Sequence, residues 1–210
     1  MNIQKSDAYD EVLQRIKNGE QYLDIGCCMG QDVRKLVYDG APSENTYASD
    51  LKTQFWDMGY ELFLDKSSLK TTFVEADIFD DKSGLQELAG KFDIVHAASF
   101  FHLFDWDGQV AAAKKIVELI NPESNGLIIG RQAGRAEAGD FTAQVEQTKS
   151  RYWHNPASWT KLWEQVGAET GTQWKVEADF DDKADMLRKN GMADFIPKDT
   201  KFMRFVIRKT

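Results

Sequence analysis

From residue 21 onward the chain alternates short apolar runs with helical stretches, and this alternation constrains the fold more than any other feature. The first three runs, QYLDI (21–25), NTYASD (45–50) and TTFVEAD (71–77), each carry an aspartate at or beside their last position. KFDIVHAA (91–98) and GLIIG (126–130) continue the series, the latter with the unbroken apolar character of a strand covered on both faces. Between them lie a helix QDVRKLVYD closed by Gly40 and Pro42, one holding Phe55, Met58, Leu62 and Phe63, and a short one near 84–89. A long helix from about Asp105 has Trp106, Val110, Ala113, Val117 and Ile120 as an apolar stripe. Strands separated repeatedly by helices build right-handed βαβ units, and so a parallel sheet.

The two ends depart from that rhythm. Residues 6–17 carry Tyr9, Val12, Leu13 and Ile16 at helical spacing. After a helix near 156–167 come a strand over 172–180, an acidic segment whose stretch from Asp179 to Asp185 reads as a solvated loop, and KFMRFVIRK (201–209). In that last run Met203, Phe205 and Ile207 share one face, opposite Phe202, Arg204, Val206 and Arg208, an alternation suited to an antiparallel strand. The outline is an α/β fold of five parallel strands closed by a β-hairpin, within one 210-residue domain.

Charge and cysteine usage exclude some classes. A net charge of −8 disfavours nucleic acid, which demands a basic face. No run approaches the ~18 apolar residues of a membrane span, and the first residues lack a secretory apolar core. The two cysteines, Cys27 and Cys28, are neighbours and read as free thiols, which together with the missing leader points to the cytoplasm. Three scattered histidines offer no metal-ligand spacing.

Open parallel sheets bind ligands at the carboxyl ends of their strands. Asp24, Asp50 and Asp77 mark those ends, and the loop after Asp24, Ile-Gly-Cys-Cys-Met-Gly, has Gly26 and Gly30 where backbone can approach a ligand. Asp50 stands about 20 residues beyond the loop, where an acid meets ribose hydroxyls, and Asp77 stands where an adenine amino group could donate. A dinucleotide fingerprint would need Gly-x-Gly-x-x-Gly, yet here the glycines are four apart and preceded by an acid. Asp24 would repel a pyrophosphate and attract an ammonium or a sulfonium, so the ligand indicated is a cationic nucleoside.

YLDIGCCMG resembles the glycine-rich first motif of class I S-adenosylmethionine-dependent methyltransferases, with Cys28 in place of a glycine. YASDL resembles the ribose-binding motif, EADIF the adenine-side motif, and FDIVHAASFFHLFD (92–105) the fourth motif beneath the methyl donor. GQDVRKLVYDGAP, GYELFLDK, SFFHLFDWDGQ and GRQAG resemble fungal methyltransferases of meroterpenoid pathways, a group that includes methyl-ester-forming enzymes. The resemblance implies a Rossmann-like, mostly parallel seven-stranded sheet in the order 3-2-1-4-5-7-6, its last strand antiparallel, with helices on both faces. It divides the chain into an N-terminal helix (1–19), a cofactor-binding half (20–132) and a substrate side (133–210). The implied cofactor is S-adenosyl-L-methionine, with S-adenosyl-L-homocysteine as product, held by Asp24, Gly26, Cys27, Cys28, Gly30, Asp50, Leu51, Asp77, Ile78, His96 and Ala97.

On the acceptor side, His102 follows the fourth strand and is a candidate base for a hydroxyl acceptor. Arg131 is a candidate clamp for an acceptor carboxylate, with surface pairing as the alternative. Phe100, Phe101, Trp106 and Trp153 are candidate pocket walls, with core packing as the alternative, and the aromatic content favours an aromatic or apolar small molecule. His96 also reads as a hydrogen-bonded core residue and His154 as a surface residue. About twenty residues precede the glycine loop, short for a substrate lid, and a homodimer would cover an aromatic surface left open there. The function indicated is methyl transfer to a small molecule, O-methylation foremost. Alternatives are an isomerase or cyclase, or a non-catalytic binding partner, that keeps the cofactor without transferring methyl.

Overall fold

A computed structural model describes residues 3–142, 150–191, 197 and 199–210. Its main sheet takes β1 (Tyr22–Ile25), β2 (Thr46–Asp50), β3 (Thr72–Glu75), β4 (Ile94–Ala98), β5 (Leu127–Arg135), β8 (Trp174–Asp181) and β9 (Thr200–Lys209). A separate hairpin joins β6 (Gly139–Thr142) to β7 (Ser150–Trp153). The helices are α1 (Tyr9–Lys17), α2 (Gln31–Tyr38), α3 (Thr53–Phe63), α4 (Trp106–Leu119), α5 (Pro156–Thr170) and α6 (Lys183–Lys189).

The strand order is β3-β2-β1-β4-β5-β9-β8, the order expected from sequence once the hairpin strands are set aside. The first five strands pair in parallel and β9 runs antiparallel to β5 and β8. Side chains alternate along β1: Tyr22 packs with Val12, Leu36 and Trp56 on one face, Leu23 with Ile116, Trp159 and Phe205 on the other. Helices therefore cover both faces, as parallel strands require. Local chemistry fixes their starts. The Asp105 side chain accepts from the Gly108 amide (2.8 Å), and Asn155 and Ser158 form a reciprocal capping box with Pro156 at the first helical position. No helix among the described residues is long and apolar enough to cross a membrane.

Three expectations change. On α3 the residues buried are Trp56 and Gly59, whereas Phe55 (41%), Met58 (52%) and Leu62 (62%) are exposed, because the helix turns its bulkiest ring toward the sheet. The span from Asp179 to Asp185 is no simple loop: Asp179 and Asp181 end β8, and Asp185 lies within α6. The β6–β7 hairpin was not foreseen, since its first strand, Gly139–Thr142, has one large apolar residue and no alternation.

Candidate functional site

A cleft of about 770 Å³ opens at the carboxyl ends of β1, β2 and β3. Gly26, Asp50, Leu51, Asp77 and Ile78 line one side, Phe79, Phe100, Leu103, Phe104 and Arg151 the other. Beside it a recess of about 240 Å³ is bounded by Asp24, Gly26, Cys28, Gln31, Asp32 and Ser99.

The glycine loop docks on the end of β2. The amides of Gly26 and Cys27 both donate to the Ser49 carbonyl (2.9 and 3.0 Å), and the Gly30 amide donates to the Cys27 carbonyl (2.8 Å). Gly26, Cys28 and Gly30 all have left-handed backbone, at φ +67°, +52° and +65°. The two glycines serve different ends. Gly26 faces the cleft, where an added Cβ would come within 3.2 Å of Phe100. Gly30 is buried, and a Cβ there would overlap the Trp56 ring, so α3 packing rather than ligand approach demands glycine. Cys28 occupies a conformation that glycine adopts without strain, which accounts for the glycine expected at this point of the motif.

Asp50 is half-buried, its Oδ2 accepting the Cys28 amide (2.9 Å) and its Oδ1 the Lys52 amide (3.2 Å). Each oxygen keeps a free lone pair toward the cleft, which suits two ribose hydroxyls. Asp77 is exposed at the cleft and accepts the Phe79 amide (2.9 Å), with buried Ile78 beside it. An acid flanked by apolar side chains fits an adenine edge and face. The residues present thus fit the nucleoside inferred from sequence.

Asp24 is not a free acid. It is 3% exposed, and its Oδ1 lies 2.9 Å from Nδ1 of the equally buried His96. Burial raises the Asp24 pKa, against the lowering by His96. For His96, burial works against the charge, but the Asp24 carboxylate outweighs it by charge and hydrogen bond, so its pKa is raised. His96 thus reaches the loop through Asp24 rather than lining the cleft. Cys27, although buried, borders the recess rather than the larger cleft, and burial pushes its thiol pKa upward. Ala97 turns into the core beneath α4, while the next residue, Ala98, borders the recess.

The acceptor-side residues separate into walls and core. Phe100 lines the cleft. Phe101 does not: its ring is fully buried against Trp159 and Phe205, because the single turn Phe101–Leu103 points it inward. Trp106 also turns away, donating to Gln165 (2.9 Å) and packing on Tyr152 and His154. Trp153 stacks on Phe141 (3.9 Å between centroids) and meets the His102 ring edge-on. His102 Nδ1 is buried without a partner among the described residues, and burial, then the charges of Arg151 and Arg131, push its pKa down to about 4. Arg131 pairs with Asp181 through Nε (3.1 Å) and lies 3.9 Å over the Phe202 ring, so the outer strands already hold it. His154 is 1% exposed rather than on the surface, bonded to the Ser158 hydroxyl (2.9 Å) and enclosed by Trp106, Tyr152 and Trp159. Arg151 and Arg34 were passed over in the sequence. Nothing local distinguishes either arginine: the hairpin brings Arg151 to the cleft, and Asp65 with the rings of α3 fixes Arg34, on α2, behind the glycine loop.

Residues 23–123 match a family described as a methyltransferase domain. The chain is 45% identical to O-methyltransferase phiE of a fungal species, over 96% of this chain and 71% of the relative. It is 42% identical to methyltransferase adrK of Penicillium rubens, over 84% of this chain and 64% of the relative. Among solved structures, an S-adenosylmethionine-dependent methyltransferase from Mesorhizobium loti superposes with a TM-score of 0.60 at 13% identity, covering 98% of this chain and 99% of that one, a likeness of fold.

Proposed function

Because the chain belongs to the class I S-adenosylmethionine-dependent methyltransferases, we propose that it methylates an oxygen of a small acceptor in secondary metabolism, a carboxylate ahead of a hydroxyl. In this reading Asp50 holds the ribose, Asp77 and Ile78 the adenine, and the recess by Asp24 and Ser99 the amino-acid end of the cofactor. When bound, the cofactor supplies a sulfonium methyl whose leaving group departs as a neutral thioether and needs no proton. The chain's task is then to hold the acceptor in line, and alignment of that kind is worth on the order of 7–11 kcal/mol.

The observation that carries the preference for a carboxylate is the placement of His102, packed edge-on against Trp153 and absent from the residues that line the cleft. Its imidazole, held at a pKa of about 4, is a poor base. It lies roughly six units below a phenol, so drawing a proton from one would be steeply uphill. A carboxylate arrives as the nucleophile at neutral pH. Phe79, Phe100, Leu103 and Phe104 present an apolar wall to the body of such an acid, and Arg151 sets a positive charge at the same cleft. The name of the relative phiE, an O-methyltransferase, supports oxygen as the acceptor atom.

Methyl-labelled cofactor offered with matched aromatic acids and phenols tests this reading. The expected result is label in a methyl ester, one equivalent of S-adenosylhomocysteine per ester, and a His102→Ala protein within about tenfold of the parent kcat. Label entering phenols alone, with His102→Ala slower by roughly a hundredfold or more, would replace the carboxylate by a hydroxyl.

A further inference from the structure

The glycine loop is gripped from behind by a side chain that faces neither cleft nor recess. Arg34 sits on α2 one turn past Gly30, whose carbonyl accepts its amide (3.0 Å). Its guanidinium is buried, and each of its three nitrogens donates to a partner in the chain. Nη1 donates to the Met29 carbonyl (2.6 Å), while Nε and Nη2 donate to the two oxygens of Asp65 (2.7 and 3.1 Å). The rings of Trp56, Phe63 and Tyr60 surround it, their centroids 4.7, 4.9 and 5.4 Å from Cζ. Two glycines make room for it: a Cβ on Gly30 would stand 2.7 Å from Nη1, one on Gly59 2.9 Å from the same atom.

This places the Cys28–Met29 stretch between two fixed points. In front, the Cys28 amide donates to Asp50; behind, the Met29 carbonyl accepts from Arg34. Cys28 between them is held in a left-handed conformation that a side-chain-bearing residue leaves readily when unrestrained. We propose that Arg34 is a positioning residue for the cofactor: by holding the Met29 carbonyl against α3, it keeps the Cys28 amide on Asp50 and the carboxylate aimed at the ribose. The planar fork of arginine is needed, since a lysine ammonium cannot reach the Met29 carbonyl and both Asp65 oxygens together. The proposal rests on assigning the cleft to the nucleoside, and its test separates the two.

Titration calorimetry with S-adenosylhomocysteine, on protein shown to be folded by its thermal transition, compares the parent with Arg34→Met, Arg34→Lys and Asp65→Asn. Leu162→Ala, a core deletion on the other face of the sheet, serves as the control for lost stability. The expected result is binding weaker by 10- to 100-fold in Arg34→Met, by 3- to 10-fold in Arg34→Lys and Asp65→Asn, and unchanged within twofold in Leu162→Ala. In turnover the loss should fall on the cofactor KM, leaving kcat at saturating cofactor and the acceptor KM within about threefold. Arg34→Met binding within twofold of the parent, or no worse than Leu162→Ala, overturns the proposal. Should Arg34→Met fail to fold, Asp65→Asn decides by the same criterion. A parent protein that does not bind S-adenosylhomocysteine would sink the cleft assignment, and this proposal with it.

Discussion

On the cofactor side of the cleft the acids are satisfied within the chain: Asp24 by His96, Asp50 by two backbone amides, Asp77 by a third. Among the described residues, Trp56 Nε1, the Tyr22 hydroxyl and the Ser83 hydroxyl are buried without partners on that bank. On the acceptor side, along β5, β7 and the turn after β4, His102 Nδ1, both amide atoms of Gln132 and the Trp153 indole N–H are buried with no partner among the described residues. Buried polar atoms without partners are costly, and they concentrate where a ligand or a moving segment completes them. The contrast teaches a division of labour. One bank has its acids already hydrogen-bonded within the chain, and the other keeps hydrogen-bonding capacity open.

The largest expected effect sharpens the cofactor bank. Gly30→Ala forces a methyl group into the Trp56 ring at a left-handed φ, and should cost roughly 2–4 kcal/mol of stability. Gly26→Ala, four residues earlier, meets only Phe100 and should instead weaken cofactor binding while costing about 1 kcal/mol. Denaturant midpoints and cofactor affinities for the pair measure this, and equal stability losses would break the distinction. Next comes the acceptor bank, through His154, whose pKa burial pushes down to about 3. An unfolded histidine titrates near 6.5, so between 6.5 and 3 the unfolded chain holds a proton that the folded chain lacks, and stability must fall as pH falls. His154→Gln should lessen that slope by up to roughly 1.4 kcal/mol per pH unit, read from urea midpoints between pH 7 and 4. An unchanged slope would mean that the imidazole is not held neutral. The smallest effect is Cys28→Gly, which removes the left-handed strain at the cost of a more flexible unfolded chain. It should move stability by no more than about 1 kcal/mol in either direction, and a larger loss would show that the Cys28 side chain packs more tightly than its half-exposure implies.

Much of the sheet and of the cofactor bank was legible because it is written locally. Strand, acid, glycine turn and helix follow one another within thirty residues, so Asp50, Leu51, Asp77 and Ile78 could be placed on the cleft from spacing and motif. What local pattern hides is direction. Phe100 and Phe101 are adjacent and chemically alike, yet a single helical turn sends one to the cleft and the other into the core. Likewise Arg131 and Asp181, fifty residues apart in sequence, meet only across β9, which pairs with β5 on one side and β8 on the other. Trp106, which the sequence leaves open between pocket wall and core, donates its indole N–H to Gln165 on α5.

The central claim is that the Asp50 carboxylate at the mouth of β2 binds the ribose of S-adenosylmethionine. Titration calorimetry of S-adenosylhomocysteine into the parent and into Asp50→Ala tests it most directly. The two hydroxyl bonds to that carboxylate are charge-assisted, at about 1.5–3 kcal/mol each, so the predicted loss is roughly a hundredfold or more. Affinity that stays within threefold of the parent would contradict it.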